Sequence, residues 1–114
     1  MLKRKAEAAD RLFHALADAN RRAVIERLTR GPATVSELAA HLGVTVAATV
    51  QHLQVLQDSE LVRSEKNGRV RTCRIDPAGL RSAEAWLQRQ RTAWEHSLDR
   101  LGAVLDDRTK ESGS

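Results

Sequence analysis

The dipeptide Asn67-Gly68 is the strongest local constraint in this chain. It separates two runs, residues 61–66 and 69–75, and a two-residue hairpin loop of type I′ needs positive φ at both central positions, which Asn and Gly supply. The spacing predicts an antiparallel β-hairpin. Charge falls on the same element: Arg63, Lys66, Arg69, Arg71 and Arg74 oppose only Glu65, a sum of +4 over residues 61–75. The whole chain also carries +4, from 19 Lys and Arg against 15 Asp and Glu, so everything outside the hairpin sums to zero. A cationic excess confined to one hairpin reads as an anion-facing surface, and nucleic acid is the commonest anion for a soluble basic protein; a solvated charged strand is the plainer alternative.

Helical periodicity precedes the hairpin. Ala9, Leu12, Phe13 and Leu16 recur at i, i+3, i+4 and i+7, one face of a first helix that stops near Asp18. Asn20 or Asp18 can cap a second helix carrying Ala23, Val24, Ile25 and Leu28, which Gly31-Pro32 cannot continue. Thr34-Val35-Ser36-Glu37 has the form of a capping box and opens a short third helix with Val35, Leu38, Ala39 and Leu42 on its apolar face. Gly43 suits a left-handed turn, and Thr45 can cap a fourth helix in which Thr49, Leu53 and Leu56 recur at i, i+4 and i+7. Helix, tight turn, helix is the helix-turn-helix arrangement, whose second helix is held so that its opposite face projects toward a major groove. The projecting set is Val46, Ala47, Val50, Gln51 and Gln54. With the basic hairpin behind it, the expected fold is a winged helix-turn-helix, mostly α with a small β-hairpin.

After the hairpin, Asp76-Pro77 supplies an N-cap and a first-turn proline for a long last helix. Its apolar residues Leu80, Leu87, Trp94, Leu98, Leu101 and Leu105 are separated by 7, 7, 4, 3 and 4. A stripe of that length spans roughly 40 Å, more than a compact body of about 75 residues can bury. A homodimer interface is the expectation, and a helix folded across its own domain is the alternative. Residues 1–106 are expected to form one domain, and 107–114, which carry no core pattern, a disordered tail.

Several classes of protein are disfavoured. Phe13, Trp86 and Trp94 are the only aromatic residues, too few for a β-sandwich or for the base-stacking platforms used on RNA. No run approaches the roughly 18 apolar residues of a membrane span, and Met1-Leu2-Lys3-Arg4-Lys5 leads into no apolar signal core, so a cytoplasmic protein without a membrane partner is expected. Cys73 has no partner for an intrachain disulfide and is expected to pack as a small hydrophobe on the inner side of the wing. Glycine-rich phosphate loops, zinc-protease helices and Gly-x-Ser-x-Gly elbows are missing, so no enzyme is expected.

Taken in order, Leu16-Ala-Asp-Ala-Asn-Arg-Arg-Ala-Val-Ile25, Ser36-Glu-Leu-Ala39, Thr49-Val-Gln-His-Leu-Gln-Val-Leu56 and Leu61-Val-Arg63 resemble the ArsR/SmtB family of bacterial winged-helix repressors. The resemblance covers roughly residues 9 to 105. It implies a homodimer whose first and last helices form the interface, here through Leu12, Phe13, Leu87, Trp94, Leu98, Leu101 and Leu105. It also implies repression by occupying an inverted repeat in double-stranded DNA until an inducer weakens binding. Where the family often has Ser-x-Pro-Ala-Val-Ser before Gln-His-Leu, this chain has Thr45-Val-Ala-Ala-Thr-Val50, so Val50 replaces a polar contact.

On that basis Gln51 is assigned to adenine in the major groove, Val46, Ala47 and Val50 to thymine methyls, and Thr45 to a phosphate. Gln54 completes the outward face, while His52 is open to three readings: base contact, phosphate contact or packing. In the wing, Lys66, Arg69 and Arg71 are assigned to the phosphates or the minor groove, whereas Arg63 and Arg74 can pair with nearby acids. Neither metal-ligand set familiar from the family is present, because Glu37-Leu-Ala-Ala-His41 holds no cysteine and His96 stands alone between Glu95 and Asp99. No metal or other cofactor is expected. Trp86 and Trp94 are read as core or interface before pocket lining, and an inducer is not legible. The rival to DNA binding is a winged-helix protein-interaction module, which the apolar Val46, Ala47 and Val50 suit and the basic wing opposes.

Overall fold

The computed structural model describes the backbone from residue 2 to residue 112 and the side chains of residues 7–106. The elements run α1 (Leu2–Leu16), α2 (Ala19–Leu28), β1 (Ala33–Thr34), α3 (Val35–Leu42), α4 (Val46–Asp58), β2 (Val62–Asn67), β3 (Val70–Ile75) and α5 (Pro77–Ser112). The chain divides into two compact units, Met1–Ala83 and Glu84–Ser114. The first is a winged helix-turn-helix, as the sequence predicts.

Side-chain oxygens set the helix starts. Asp18, rather than Asn20, caps α2, its Oδ1 accepting from the backbone N–H of Asn20 at 2.8 Å and of Arg21 at 3.2 Å. Thr34 Oγ1 accepts from the Glu37 N–H at 3.1 Å and its hydroxyl donates to Glu37 Oε1, which opens α3. Gly43, at φ 68 and ψ 32, closes α3, and two residues later Thr45 Oγ1 takes the Ala48 N–H at 3.0 Å. A tight left-handed turn between two capped ends fixes the direction in which α4 leaves α3. The buried face of α4 is Thr49, Leu53 and Leu56, and the Thr49 hydroxyl stays satisfied by donating to the Thr45 carbonyl at 2.9 Å.

The hairpin forms, but its turn lies one residue later than Asn67-Gly68. Asn67 pairs with Val70 at the end of the ladder, so Gly68 and Arg69 occupy the two turn positions. Gly68 has φ 65 and Arg69 is not among the positive-φ residues, the pattern of a type II′ turn with glycine first rather than of type I′. Both turn types match the twist of the strands, and in the observed register Val62 stands against Ile75 and Ser64 against Cys73, which keeps Val62 and Cys73, the buried positions of the two strands, on one face. A third strand, which nothing in the sequence pattern marks, completes the sheet. Ala33 and Thr34 pair with Cys73 and Thr72, giving the order β1-β3-β2 and anchoring the inner end of the wing beside the α3 cap.

The core gathers Leu12, Ala15, Val24, Leu28, Val35, Leu38, Leu53, Leu56, Leu61 and Val62 around the fully buried Cys73, whose thiol burial pushes up in pKa against the opposing influence of Arg71. Leu12 therefore serves the chain's own core and not the interface assigned to it. It lies about 100° round the helix from Phe13, which is half exposed. In α5, Asp76 Oδ1 accepts from the N–H of Ala78 and of Gly79, as its position before Pro77 predicts. Leu87, Trp94, Leu98, Leu101 and Leu105 are all exposed, with Trp94 at 68%. At 100° per residue they fall within about 60° of one another, a single stripe. The helical backbone continues to Ser112, whereas the side chains of the expected tail, 107–114, and residues 113–114 altogether lie outside the described residues.

The start of α5 is held by a close approach at Gly79. A Cβ there would fall within the Glu60 carbonyl group, 2.6 Å from its carbon, at the left-handed residue (φ 64) that joins α4 to β2. Gly→Ala inside a helix ordinarily stabilises by about 1 kcal/mol. Gly79→Ala is expected to destabilise by about 1–3 kcal/mol instead, because backbone and not a flexible side chain must move. Urea unfolding of the two proteins measures it, and an unchanged or higher midpoint for the variant would show that the close approach is absent.

Candidate nucleic-acid interface

The surface opposite the buried face of α4 is open. Val46, Ala47, Val50, Gln51 and Gln54 are all exposed, as is Thr45 at the helix start. Two of them are large and apolar, Val46 at 51% and Val50 at 41% exposed. β-branched residues gain nothing from an exposed helix position, since they have modest helix propensity and lose χ1 freedom. Their placement suits an apolar feature on a partner. Gln54 is engaged within its own helix, its Nε2 donating to Asp58 Oδ1 at 2.9 Å, so Gln51 is the polar side chain at the centre of this face without such a tie. The Thr45 hydroxyl, already accepting from Ala48, keeps its proton to donate outward.

His52 is not on this face. Its side chain is 18% exposed and turned toward the start of α2, with Nδ1 3.4 Å from Arg21 Nη1 and 4.0 Å from Asp18 Oδ1. Of the three readings open to it, the geometry favours packing. Asp18 is held below the usual carboxylate range chiefly by the Arg21 N–H, with Asn20 N–H, His52 and the Arg21 charge adding to it and desolvation opposing.

The wing contains two kinds of cation. Arg63 lies 3.8 Å from Asp76 and Arg74 3.9 Å from Glu65, as the sequence allows. Lys66, Arg69 and Arg71 are exposed, and among the described residues no carboxylate lies within ion-pair distance of them. Lys66 and Arg71 are also direct cross-strand partners, an arrangement of like charges that weakens a hairpin. The alternation of strand side chains puts both on the face that carries Ser64 and Cys73. Ser64 on that face reaches Gln57 of α4 at 3.5 Å, so the two cations extend the side of the sheet that meets α4. Arg69 stands in the turn beyond them.

Sequence reading missed Arg21. Cations are unfavourable in the first turn of a helix, where the dipole is positive, yet α2 begins with Arg21 and Arg22 and no acid. That misplacement is the available signal. Both side chains reach back to the final carbonyls of α1: Arg21 Nε donates to Ala15 O at 2.8 Å and Nη2 to His14 O at 2.8 Å, and Arg22 Nη1 donates to Leu16 O at 2.7 Å.

A capped, half-buried helix with an open outer face beside an uncompensated cationic wing defines a winged helix-turn-helix DNA-binding protein. Known proteins of similar sequence and structure agree. Residues 16–65 match the helix-turn-helix domain family. Over 97 residues the chain is 40% identical to the HTH-type transcriptional regulator Rv2034 of Mycobacterium tuberculosis, covering 85% of this chain and 88% of that protein. It is similar to a crystal structure of the ArsR family transcriptional regulator RHA00566, with 47% identity, a TM-score of 0.71 and coverage of 79% of this chain and 93% of that one. It shares its fold with Mb0332 from Mycobacterium bovis, described as a homodimeric winged helix-turn-helix DNA-binding domain, at 24% identity and a TM-score of 0.65 over 82% of this chain and 85% of that one. The chain belongs to the ArsR family of helix-turn-helix transcriptional regulators, a family of regulators and not of enzymes.

If Arg69 and Arg71 meet phosphates, Arg69→Ala with Arg71→Ala weakens binding to every duplex and makes the slope of log affinity against log salt shallower by about one for each phosphate no longer neutralised. Anisotropy titrations over a salt series read this. An unchanged slope takes the wing out of the phosphate contacts.

Proposed function

We propose that this protein is a cytoplasmic, homodimeric repressor that covers an inverted repeat in double-stranded DNA and needs no metal to bind. The observation that carries the reading is the pairing of Lys66 with Arg71 on the side of the sheet that meets α4. Like charges held opposite one another cost stability, and a polyanion lying along α4 and the wing relieves that cost. In this reading Thr45 touches a phosphate, Val46, Ala47 and Val50 contact thymine methyls, and Gln51 pairs with adenine. Lys66, Arg69 and Arg71 hold the flanking backbone. Steric exclusion of polymerase is the mechanism of repression.

Dimerisation follows from the stripe on α5. Leu87, Trp94, Leu98, Leu101 and Leu105 lie on one side of a helix and are exposed, and burial against the same stripe of a second copy removes them from water, with Phe13 of α1 contributing. The Mb0332 domain, which shares the fold, is described as homodimeric, and this supports the assignment without fixing its contacts. Among the described residues no helix is long and apolar enough to cross a membrane, and no group of His, Cys, Asp and Glu could hold a metal ion.

Selection of sites from random duplex DNA at about 0.15 M salt, with a chelator present, tests the central claim. An inverted repeat with half-sites about one helical turn apart is the expected product. Against it, Gln51→Ala is expected to cost about 1–3 kcal/mol and to relax one position per half-site. Recovery of nothing above random would favour a protein-interaction role for α4. Trp94→Glu with Leu101→Glu is expected to give a monomer in light scattering and to abolish tight operator binding; a dimer of unchanged mass would place the interface elsewhere.

A further inference from the structure

Arg21 joins three helices through one side chain. Nε and Nη2 close the end of α1 on the carbonyls of Ala15 and His14, each at 2.8 Å, and Nη1 stands 3.4 Å from Nδ1 of His52 in α4. Its own backbone N–H, at the start of α2, binds Asp18. A planar guanidinium with several donors in fixed directions can meet acceptors on three sides at once, which an ammonium on a flexible stem cannot. His52 is flanked in α4 by Gln51 and lies two residues from Val50, both on the open face. The neighbour of the reading residues is thus tied to the end of the first helix.

We propose that Arg21 is a positioning residue for DNA reading: by gripping the end of α1 and His52 together, it fixes the pose in which α4 presents Val50 and Gln51. The inference rests on the DNA-reading role of α4 proposed above. Its chemistry is specific about protons. A guanidinium offers no lone pair, so His52 Nδ1 is the acceptor and the neutral imidazole carries its hydrogen on Nε2. The charged groups that face the imidazole are Asp18 and Arg21, at the start of α2, while α1 enters the cluster through main-chain carbonyls.

The test compares affinity for the selected operator with affinity for random duplex DNA, at constant pH and salt, in the full chain. Arg21→Lys keeps the charge and removes the fork. It is expected to lower the operator-to-random ratio by about tenfold, with random-DNA affinity held within about twofold. His52→Leu, which removes the acceptor, is expected to lower the ratio by a similar factor. His52→Asn, which puts an amide oxygen near the place of Nδ1, is expected to keep the ratio within about twofold of the wild type. An unchanged ratio in Arg21→Lys, or equal ratios in His52→Leu and His52→Asn, overturns the inference while leaving the DNA reading intact. Failure of the wild type to prefer any site overturns both. Should Arg21→Lys lack the helical circular dichroism of the wild type, the comparison of His52→Leu with His52→Asn decides.

Discussion

The turn at Glu60 and Leu61 is where α4, the wing and α5 are joined. Glu60 takes a left-handed conformation, its N–H reaching the Gln57 carbonyl at 2.9 Å, and the Leu61 N–H reaches back to Leu56 at 3.0 Å. This double bond pattern ends α4 and is completed by packing of Leu56 and Leu61 in the core. The Leu61 carbonyl then accepts from the Asp76 N–H at 2.9 Å, which ties the far end of the hairpin to its beginning, and the first turn of α5 presses Gly79 against the Glu60 carbonyl group. The end of α4, the base of the wing and the start of the last helix thus meet at one short turn. A left-handed Glu is less comfortable than a glycine by roughly 1–2 kcal/mol, a cost that the satisfied carbonyls and the leucine packing offset.

The wing divides its charge into structural and available parts. Arg63 and Arg74 each have an acid within 4.0 Å, near the base and the middle of the hairpin, where the pairs help hold strands that are exposed on one face. Such exposed pairs contribute little, on the order of 0–1 kcal/mol, so they do not fold the hairpin. Burial of Val62 and Cys73 and the two-residue pairing with β1 do that. With the base held in this way, the outer end can carry Lys66, Arg69 and Arg71 without compensation. The net excess of +4 over residues 61–75 is therefore not a diffuse field: Arg63 is matched by Asp76 just beyond the span, and the other three charges are Lys66, Arg69 and Arg71 at the outer end, the first and last of them on the side of the sheet that meets α4.

What could be read from the sequence was what depends on neighbours in the chain. The caps at Asp18, Thr34, Thr45 and Asp76 act within two or three residues, and the buried positions of α4 follow its period, so these were legible. The hairpin was legible as an element but not in its turn, because Asn-Gly satisfies a type I′ loop while Gly-Arg satisfies type II′, and both registers put Val62 and Cys73 on the same face, so the alternation of side chains does not distinguish them. Strand β1 is two residues long and has no periodicity to detect. Leu12 and Phe13 share one apolar stripe in the sequence, and their separation into core and surface depends on where α2 and α4 pack. Arg21 and His52 are 31 residues apart, so their meeting could not be read locally, although a cation in the first turn of α2 signals a partner outside that helix.

The proposed function separates affinity from selectivity. In the proposed function, the phosphate contacts assigned to Lys66, Arg69 and Arg71 are indifferent to sequence, and their strength falls with salt. The open face of α4 is short of hydrogen-bonding groups, with Gln54 turned to Asp58 and Val46 and Val50 offering only methyl groups. Apolar groups discriminate through fit, and the attraction between two methyls fades over a fraction of an ångström. A reader of this kind depends on the pose of its helix more than one built from long, adaptable polar side chains. That dependence gives a physical reason for α4 to be fixed at both ends: by the left-handed turns at Gly43 and Glu60, and between them by the grip of Arg21 on His52.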